Sequence, residues 1–154
     1  RAKKYIYITT PYLIIDNEMV TALSVAAKSG VDVRIITPHI PDKWYVHAVT
    51  RAYYEGLLEN GVKIYEYTPG FIHAKTFAVD DEYGTVGTIN LDYRSLYLHF
   101  ENGVFMYKND AVMQLKHDME KTFEISQRIT KEMCQGNLRK TLTQSVLRLL
   151  APLL

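Results

Sequence analysis

Two hydrophobic periods alternate along the first half of the chain. Short runs rich in β-branched and aromatic residues predict strands, because side chains in a strand alternate between two faces. These runs lie at 4–9, 31–37 and 62–67. Between them, apolar residues at three- and four-residue spacing predict helices over 17–29 and 44–59, with Asp16 or Asn17 as the cap of the first and Asp42 as the cap of the second. Strands separated by helices are typical of a parallel sheet that helices cover.

The second half of the chain has a different pattern. Two strand-like runs, 73–79 and 85–90, flank a polar segment that ends in glycine, which predicts an antiparallel hairpin. A further strand is predicted over 100–107, followed by a helix to about residue 127. The chain is therefore expected to form an α/β fold, with a mixed, mostly parallel central sheet flanked by helices on both faces.

Composition and charge narrow the class of protein. The 154 residues are 47% hydrophobic and 23% charged with a net charge of +1, which fits one soluble globular domain and excludes a disordered chain. The single cysteine, Cys134, excludes an internal disulfide, and no apolar stretch is long enough to predict a membrane span. Residues 1–127 carry a net charge of −3 and residues 128–154 a net charge of +4. The acidic body argues against a nucleic-acid partner, since phosphate backbones are usually bound by basic surfaces.

Four polar residues of the predicted hairpin have the chemistry of a phosphate site. Residues two apart on a strand share a face, so His73 would lie beside Lys75, and Thr88 beside Asn90. If the two strands pair, an imidazole, an ammonium, a hydroxyl and a carboxamide converge. Ammonium, amide and hydroxyl groups can hold phosphate oxygens, while histidine can attack phosphorus or transfer a proton.

The full spacing resembles the signature of the phospholipase D superfamily. The pattern is His-x-Lys, four residues, Asp80, six residues and Gly-Thr-x-Asn, with threonine where serine is commoner. Glu101 lies 28 residues after His73, where the superfamily commonly carries an acidic residue. The flanking segments resemble the second catalytic half of bacterial cardiolipin synthases. These segments are 7–12, 51–55, 61–70 and 90–95.

The resemblance implies a role for each residue of the motif. His73 would be the nucleophile or the general acid and base, while Lys75 and Asn90 would hold the phosphoryl oxygens. Thr88 would be an additional phosphate donor, and Glu101 would accept from the second ring nitrogen of His73. Asp80 completes the catalytic motif, although its position at the turn favours a mainly structural role. No metal and no other cofactor is implied.

The implied reaction joins two phosphatidylglycerols into cardiolipin and releases glycerol through a phosphohistidine. Active sites of the superfamily contain two motifs, and this chain has one. The chain is therefore expected to be a piece of a longer protein whose first motif and membrane spans lie upstream, and to be inactive unless it pairs with itself. One alternative is another phosphodiesterase of the superfamily, either a phospholipase or a single-motif homodimeric nuclease. A second is a non-catalytic half that completes a partner's site.

Two regions with different roles are expected. Residues 1–135 would form the phospholipase D-like catalytic domain, soluble as a piece but held at the cytoplasmic side of the cell membrane in the full-length protein. Residues 136–154 have the pattern of a basic amphipathic helix, which suits either docking on the enzyme or contact with an anionic membrane surface. Beside the motif, Tyr12 at a strand end is a candidate lining residue. Arg94 is a candidate partner for Asp92 or Asp80 in an ion pair, with contact to a lipid phosphate as the alternative.

Overall fold

The chain folds into short strands and helices that alternate as far as residue 67. A computed structural model of the protein describes residues 2–134. Its strands are β1 (Tyr5–Thr9), β2 (Leu13–Ile14), β3 (Asp32–Pro38), β4 (Lys63–Tyr67), β5 (Thr76–Val79), β6 (Tyr83–Gly87), β7 (Leu91–Asp92), β8 (Gly103–Tyr107) and β9 (Ser126–Arg128). Its helices are α1 (Asn17–Lys28), α2 (Trp44–Ala52), α3 (Tyr54–Glu59), α4 (Asp110–Glu124) and α5 (Lys131–Cys134), with a π-helical turn at Arg94–Leu98. The predicted amphipathic helix over 136–154 lies outside the described residues.

The central sheet of the described chain has seven strands in the order β8-β6-β5-β1-β3-β4-β9. The pairs β1–β3 and β3–β4 are parallel, as the alternation of strands and helices predicts. The other four neighbouring pairs in this described sheet are antiparallel. The α/β class and the mixed sheet are therefore confirmed, but the prediction of a mostly parallel sheet is wrong. Within this sheet, helical crossovers directly link the neighbouring pairs β1–β3 and β3–β4, and these are its two parallel pairs.

Local predictions in the first half hold with two changes. The Asp16 side chain caps α1 by accepting from the Met19 amide at 2.8 Å. The single helix predicted over 44–59 is two helices that meet at Tyr53. Asp42 is not the cap of α2, because the N-cap residue is Lys43 and no side chain bonds there.

The second half contains the predicted hairpin and two short strands that the pattern missed, β7 and β9. β5 and β6 pair antiparallel, from Thr76 opposite Val86 to Val79 opposite Tyr83. The predicted last helix ends three residues early, and β9 follows it, antiparallel to β4. β9 is polar and short, so its sequence carries no strand signal, but it covers the edge of β4 that would otherwise be unpaired.

Two hydrophobic cores lie on opposite faces of the sheet. On one face, α1, α2 and α3 bury residues such as Leu23, Val49 and Leu57 against Ile35 and Ile64 of the sheet. On the other face, α4 packs Met119 and Phe123 against alternate residues of β1 and its neighbours. The result is the predicted three-layer arrangement. Within residues 2–134, no helix is long and apolar enough to cross a bilayer.

A buried carboxylate joins α2 to the carboxyl end of β4. Glu66 is 1% exposed and accepts two hydrogen bonds from Arg51, at 2.7 and 2.6 Å. His39 and the Tyr54 hydroxyl also bond to it, at 2.8 and 3.1 Å. Burial raises the pKa of Glu66, but the hydrogen bonds from Arg51 and His39 outweigh burial and leave the pKa below its ordinary value. This network ties α2, α3 and the segment after β3 to β4.

Candidate active site

The candidate site lies where β1, β3 and β4 end and β5 begins. Thr9 is paired with Thr76, so the residues that follow β1 meet the residues that precede β5. The carboxyl ends of parallel strands are the usual position for ligands in open α/β sheets. A small second sheet, in which β2 pairs with β7, brings the segment after β6 to the same edge.

His73 and Lys75 lie just before β5 rather than on it. The strand predicted over 73–79 therefore begins at Thr76, three residues later than expected. The two residues still lie together, since the Lys75 ammonium donates to the His73 carbonyl oxygen at 2.7 Å. The Gly87 amide donates to the Lys75 carbonyl at 3.2 Å, which ties this segment to the end of β6.

Aromatic side chains hold the His73 ring on two sides. The Phe71 ring stacks on it with centroids 5.4 Å apart, and the edge of the Tyr12 ring lies 6.3 Å away. Partial burial and the Lys75 ammonium lower the pKa of His73, while the Asp42 carboxylate opposes that change. The imidazole is therefore mainly neutral at neutral pH, which is the form that can attack phosphorus.

Asp42, which the sequence pattern predicted to be a helix cap, lies at this site. Its carboxylate accepts from the Tyr12 hydroxyl at 2.5 Å. Burial and this hydrogen bond raise the pKa of Tyr12, so the hydroxyl keeps its proton and remains a donor. The contact joins residues 30 positions apart, and no local pattern in the sequence indicates it.

Lys75 is the cation at the centre of the predicted phosphate site. Desolvation lowers its pKa, and the carboxylates of Glu101, Asp92 and Asp42 act in the opposite direction. The ordinary lysine pKa lies far above neutrality, and the three carboxylates favour the charged ammonium. Lys75 is the positive charge nearest to His73 along the motif, where a phosphate would need it.

Thr88 and Glu101 contact each other, because the β6–β8 pairing continues past the end of β6. The Thr88 amide donates to the Asn102 carbonyl at 2.8 Å, and the Asn102 amide donates to the Thr88 hydroxyl oxygen at 2.9 Å. The Thr88 hydroxyl donates to the Glu101 carboxylate. Hydrogen bonds from Thr88 and Ser95 lower the pKa of Glu101, which is therefore ionised at neutral pH.

The bond predicted between Glu101 and His73 is absent from the contacts of the described residues. The Glu101 carboxylate bonds to Thr88 instead, while its charge still acts on Lys75. Thr88 in turn uses its hydroxyl to orient Glu101, so it is not free to donate to a phosphate in this arrangement. Threonine, like serine, supplies the hydroxyl that this contact requires.

Asn90 follows β6 and precedes β7, and its side chain has an unusual feature. Its Oδ1 atom is buried and has no hydrogen-bond partner, and among residues 2–134 only the Ser24 hydroxyl is in the same state. Buried acceptors are nearly always paired, because leaving one unpaired costs free energy. The Asn90 oxygen therefore has no donor among the described residues.

Asp80 lies at the other end of β5 from His73. Its carboxylate accepts three backbone amides, those of Lys3, Lys4 and Tyr5, at 2.6, 2.9 and 2.9 Å. Its φ of 53° lies in the left-handed region, where aspartate and asparagine are tolerated better than most residues. Asp80 is therefore not close enough to His73 to support a catalytic role. Its three hydrogen bonds hold the start of β1 to the hairpin.

Two cavities adjoin the site, one polar and one apolar. The polar cavity, about 290 Å³, is lined by residues that include Tyr12, Lys43, Asn90, Asp92 and Arg94. The apolar cavity, about 440 Å³, begins at Lys75 and runs across the faces of β5, β6 and β8. The ion pair predicted for Arg94 with Asp92 or Asp80 is absent from the described ion pairs, and Asp92 accepts from the Ser95 amide instead, at 2.7 Å. No cluster of three metal-ligating side chains occurs within residues 2–134.

Solved structures share this architecture. A phospholipase D family member, Nuc from Salmonella typhimurium, superposes with a TM-score of 0.70 at 18% sequence identity, covering 83% of this chain and 83% of that chain. At that level of identity the likeness shows the fold alone, and the fold is phospholipase D-like.

Sequence comparison then gives the family. The model described as "Cardiolipin synthase, PLD-like domain" matches residues 1–124. An uncharacterized protein of Streptococcus mutans is 52% identical over 155 residues, covering 100% of this chain and 34% of that protein. A cardiolipin synthase of Geobacillus kaustophilus is 44% identical over 154 residues, covering 99% of this chain and 31% of that protein. The chain therefore belongs to the cardiolipin synthase family of phospholipase D-like domains, and it spans about a third of the length of these relatives.

Proposed function

We propose that this chain supplies one of two half-sites in an enzyme that transfers a phosphatidyl group between two phosphatidylglycerols, giving cardiolipin and glycerol. The observation that carries the proposal is that Lys75 contacts His73 at the end of the sheet to which the β2–β7 pairing brings the segment of Asn90, in a chain of the cardiolipin synthase family. A neutral imidazole, a cation and an unpaired buried acceptor form a set of groups suited to a phosphodiester and an alcohol.

The reaction proceeds in two displacements at phosphorus. In the first, a histidine nitrogen attacks, the P–N bond forms, and the P–O bond to glycerol breaks as a second histidine protonates the leaving oxygen. In the second, a hydroxyl of another phosphatidylglycerol attacks, its proton passes to that second histidine, and the P–N bond breaks. His73 is one member of this pair, and the Lys75 ammonium and the Asn90 side-chain NH2 group donate to the phosphoryl oxygens and stabilise their charge.

The other half-site comes from elsewhere in the same polypeptide. The chain is about a third as long as its relatives, which leaves room for a second unit of similar size. The apolar cavity beside Lys75 lies on an edge strand whose side chains Val104 and Phe105 are 63% and 66% exposed. Exposed apolar edge strands are rare in native proteins, since an unpaired edge can pair with another chain. We assign this surface to contact with the upstream half.

The proposal extends to where the enzyme works. The full-length protein acts at the cell membrane with this domain on the cytoplasmic side, and the basic segment 136–154 contacts either the enzyme or anionic lipid. Deleting 136–154 distinguishes the two cases, because only membrane contact would make binding to phosphatidylglycerol vesicles depend on the segment.

The test is an assay of the full-length protein on phosphatidylglycerol vesicles, with cardiolipin and released glycerol measured together. Equal molar amounts of the two products are expected. Phosphatidic acid without cardiolipin would indicate a phospholipase, and His73-dependent cleavage of DNA would indicate a nuclease. The isolated 154-residue chain is expected to give no product, and turnover by its monomer would contradict the account based on two half-sites.

A further inference from the structure

The polar cavity described above, here called the headgroup pocket, adjoins the phosphate site. Its volume of about 290 Å³ is at the lower limit for small-molecule pockets, so it suits a short polar group rather than an acyl chain. Tyr12 belongs both to this pocket and to the surroundings of His73, since the edge of its ring lies 6.3 Å from the His73 ring. A group bound in the pocket would therefore lie next to the reacting phosphorus.

One wall of the headgroup pocket offers an acceptor for a hydroxyl group. The buried Asn90 Oδ1 atom has no partner, and a ligand hydroxyl would satisfy it. Asp92, which also lines the pocket, accepts from the Ser95 amide at one of its two carboxylate oxygens. The buried acceptor of this lining that has no partner is the amide oxygen of Asn90.

The lining of the pocket also offers positive charge. Lys43 and Arg94 both line the pocket, both are exposed, and neither takes part in an ion pair among those described for residues 2–134. Two unpaired cations beside an alcohol site favour an alcohol that carries its own anionic group. The headgroup of phosphatidylglycerol has this chemistry, because a glycerol hydroxyl and a phosphate are joined within one short unit.

We propose that the headgroup pocket binds the acceptor phosphatidylglycerol, with its glycerol hydroxyl at Asn90 and its phosphate between Lys43 and Arg94. The inference rests on the proposed function and adds a specificity device to it. The glycerol that leaves in the first displacement and the headgroup that enters in the second use the same pocket, but only the entering headgroup carries a second phosphate. Lys43 and Arg94 therefore select the acceptor and contribute little to the release of glycerol.

The test compares two acceptors in the full-length enzyme on phosphatidylglycerol vesicles. Cardiolipin formation reports the phosphate-bearing acceptor, and incorporation of labelled free glycerol into phosphatidylglycerol reports a neutral one. The double variant Lys43→Gln, Arg94→Gln is expected to lose cardiolipin formation about tenfold, on the scale of a charge-assisted hydrogen bond at an exposed position. Its glycerol exchange should stay within about twofold of the wild type. The variant Lys121→Gln, which removes an exposed charge on α4, is the matched control and should leave both rates unchanged.

The outcomes separate the two proposals. If the ratio of cardiolipin formation to glycerol exchange is unchanged in the double variant, the assignment of the pocket is overturned. This holds also if both rates fall by the same factor. Recovery of the wild-type ratio by Lys43→Arg, Arg94→Lys would support it, because the charges are kept. If the wild-type enzyme exchanges glycerol but forms no cardiolipin, the proposed function itself fails before the variants are compared.

Discussion

Replacing Asp80 tests whether the aspartate of the motif serves the fold or the chemistry. Its carboxylate accepts three backbone amides at 2.6 to 2.9 Å, at a partly exposed position. Each such bond contributes about 0.5–1 kcal/mol net, since the freed amides regain water. Asp80→Gly tolerates the positive φ and loses the acceptors, so it should cost about 2 kcal/mol. Asp80→Ala adds about 1 kcal/mol of left-handed strain, and Asp80→Asn, which keeps one acceptor, should cost about 1 kcal/mol.

Urea unfolding of the 154-residue chain, followed by circular dichroism, measures these differences. With a denaturant slope of about 1–3 kcal/mol per molar, the midpoint of Asp80→Gly should fall by about 1 M. Backbone hydrogen bonds lower the pKa of Asp80 in spite of its desolvation, so its contribution is present above its unfolded pKa of about 3.9 and is lost as the pH falls through the lower folded value. The difference in free energy of unfolding between Asp80→Asn and the wild type should become smaller in that acidic range.

The reasoning about Asp80 is refuted by either of two results. One is that all three variants unfold at the wild-type urea concentration. The other is that Asp80→Asn keeps its fold but reduces phosphatidyl transfer by the full-length enzyme more than a hundredfold, which would make Asp80 part of the chemistry.

Three further predictions concern the residues around the motif. The pH profile of kcat/KM should show the titration of His73 at a pKa below the ordinary histidine value of 6.5. Asp42→Asn should lower this pKa further, because the carboxylate that favours the imidazolium form is gone. An unmoved profile would exclude the coupling between Asp42 and His73. Thr88→Val removes the donor to the Glu101 carboxylate and should reduce phosphatidyl transfer about tenfold, while Thr88→Ser should stay close to wild type. Equal activity of the two variants would show that the hydroxyl is dispensable. Gly87→Ala places a Cβ 2.4 Å from a backbone oxygen of the adjoining loop and should destabilise the chain by more than about 2 kcal/mol in urea unfolding. Gly56→Ala, whose Cβ meets nothing within 4 Å, is its control and should be neutral or stabilising, and similar behaviour of the two would contradict the clash.

The parts of the fold that depend on neighbouring residues were predictable from the sequence. The cap at Asp16, the helix that follows it and the β5–β6 hairpin all rest on short-range signals, and the structure contains each of them. The motif spacing also brought His73, Lys75 and Asn90 to one sheet edge, although His73 and Lys75 precede the strand on which they were expected.

The predictions that were wrong concern residues whose contacts lie far away in the sequence. Asp42 has the local pattern of a helix cap, but its carboxylate bonds to Tyr12, which only the folded sheet brings near. β9 has no apolar alternation, and it is a strand because the edge of β4 is available beside it. Glu101 has the spacing of a partner for His73, yet the continued β6–β8 pairing places it on Thr88. Sequence spacing identified these chemical groups, and tertiary packing determined their partners.

The central claim is that His73 takes part in phosphatidyl transfer. The most direct measurement is cardiolipin formation from phosphatidylglycerol vesicles by the full-length protein carrying His73→Ala, compared with His117→Ala, which changes an exposed histidine on α4. The account predicts that His73→Ala forms no cardiolipin and that His117→Ala forms it at the wild-type rate. Cardiolipin formation at the normal rate by His73→Ala would contradict the account.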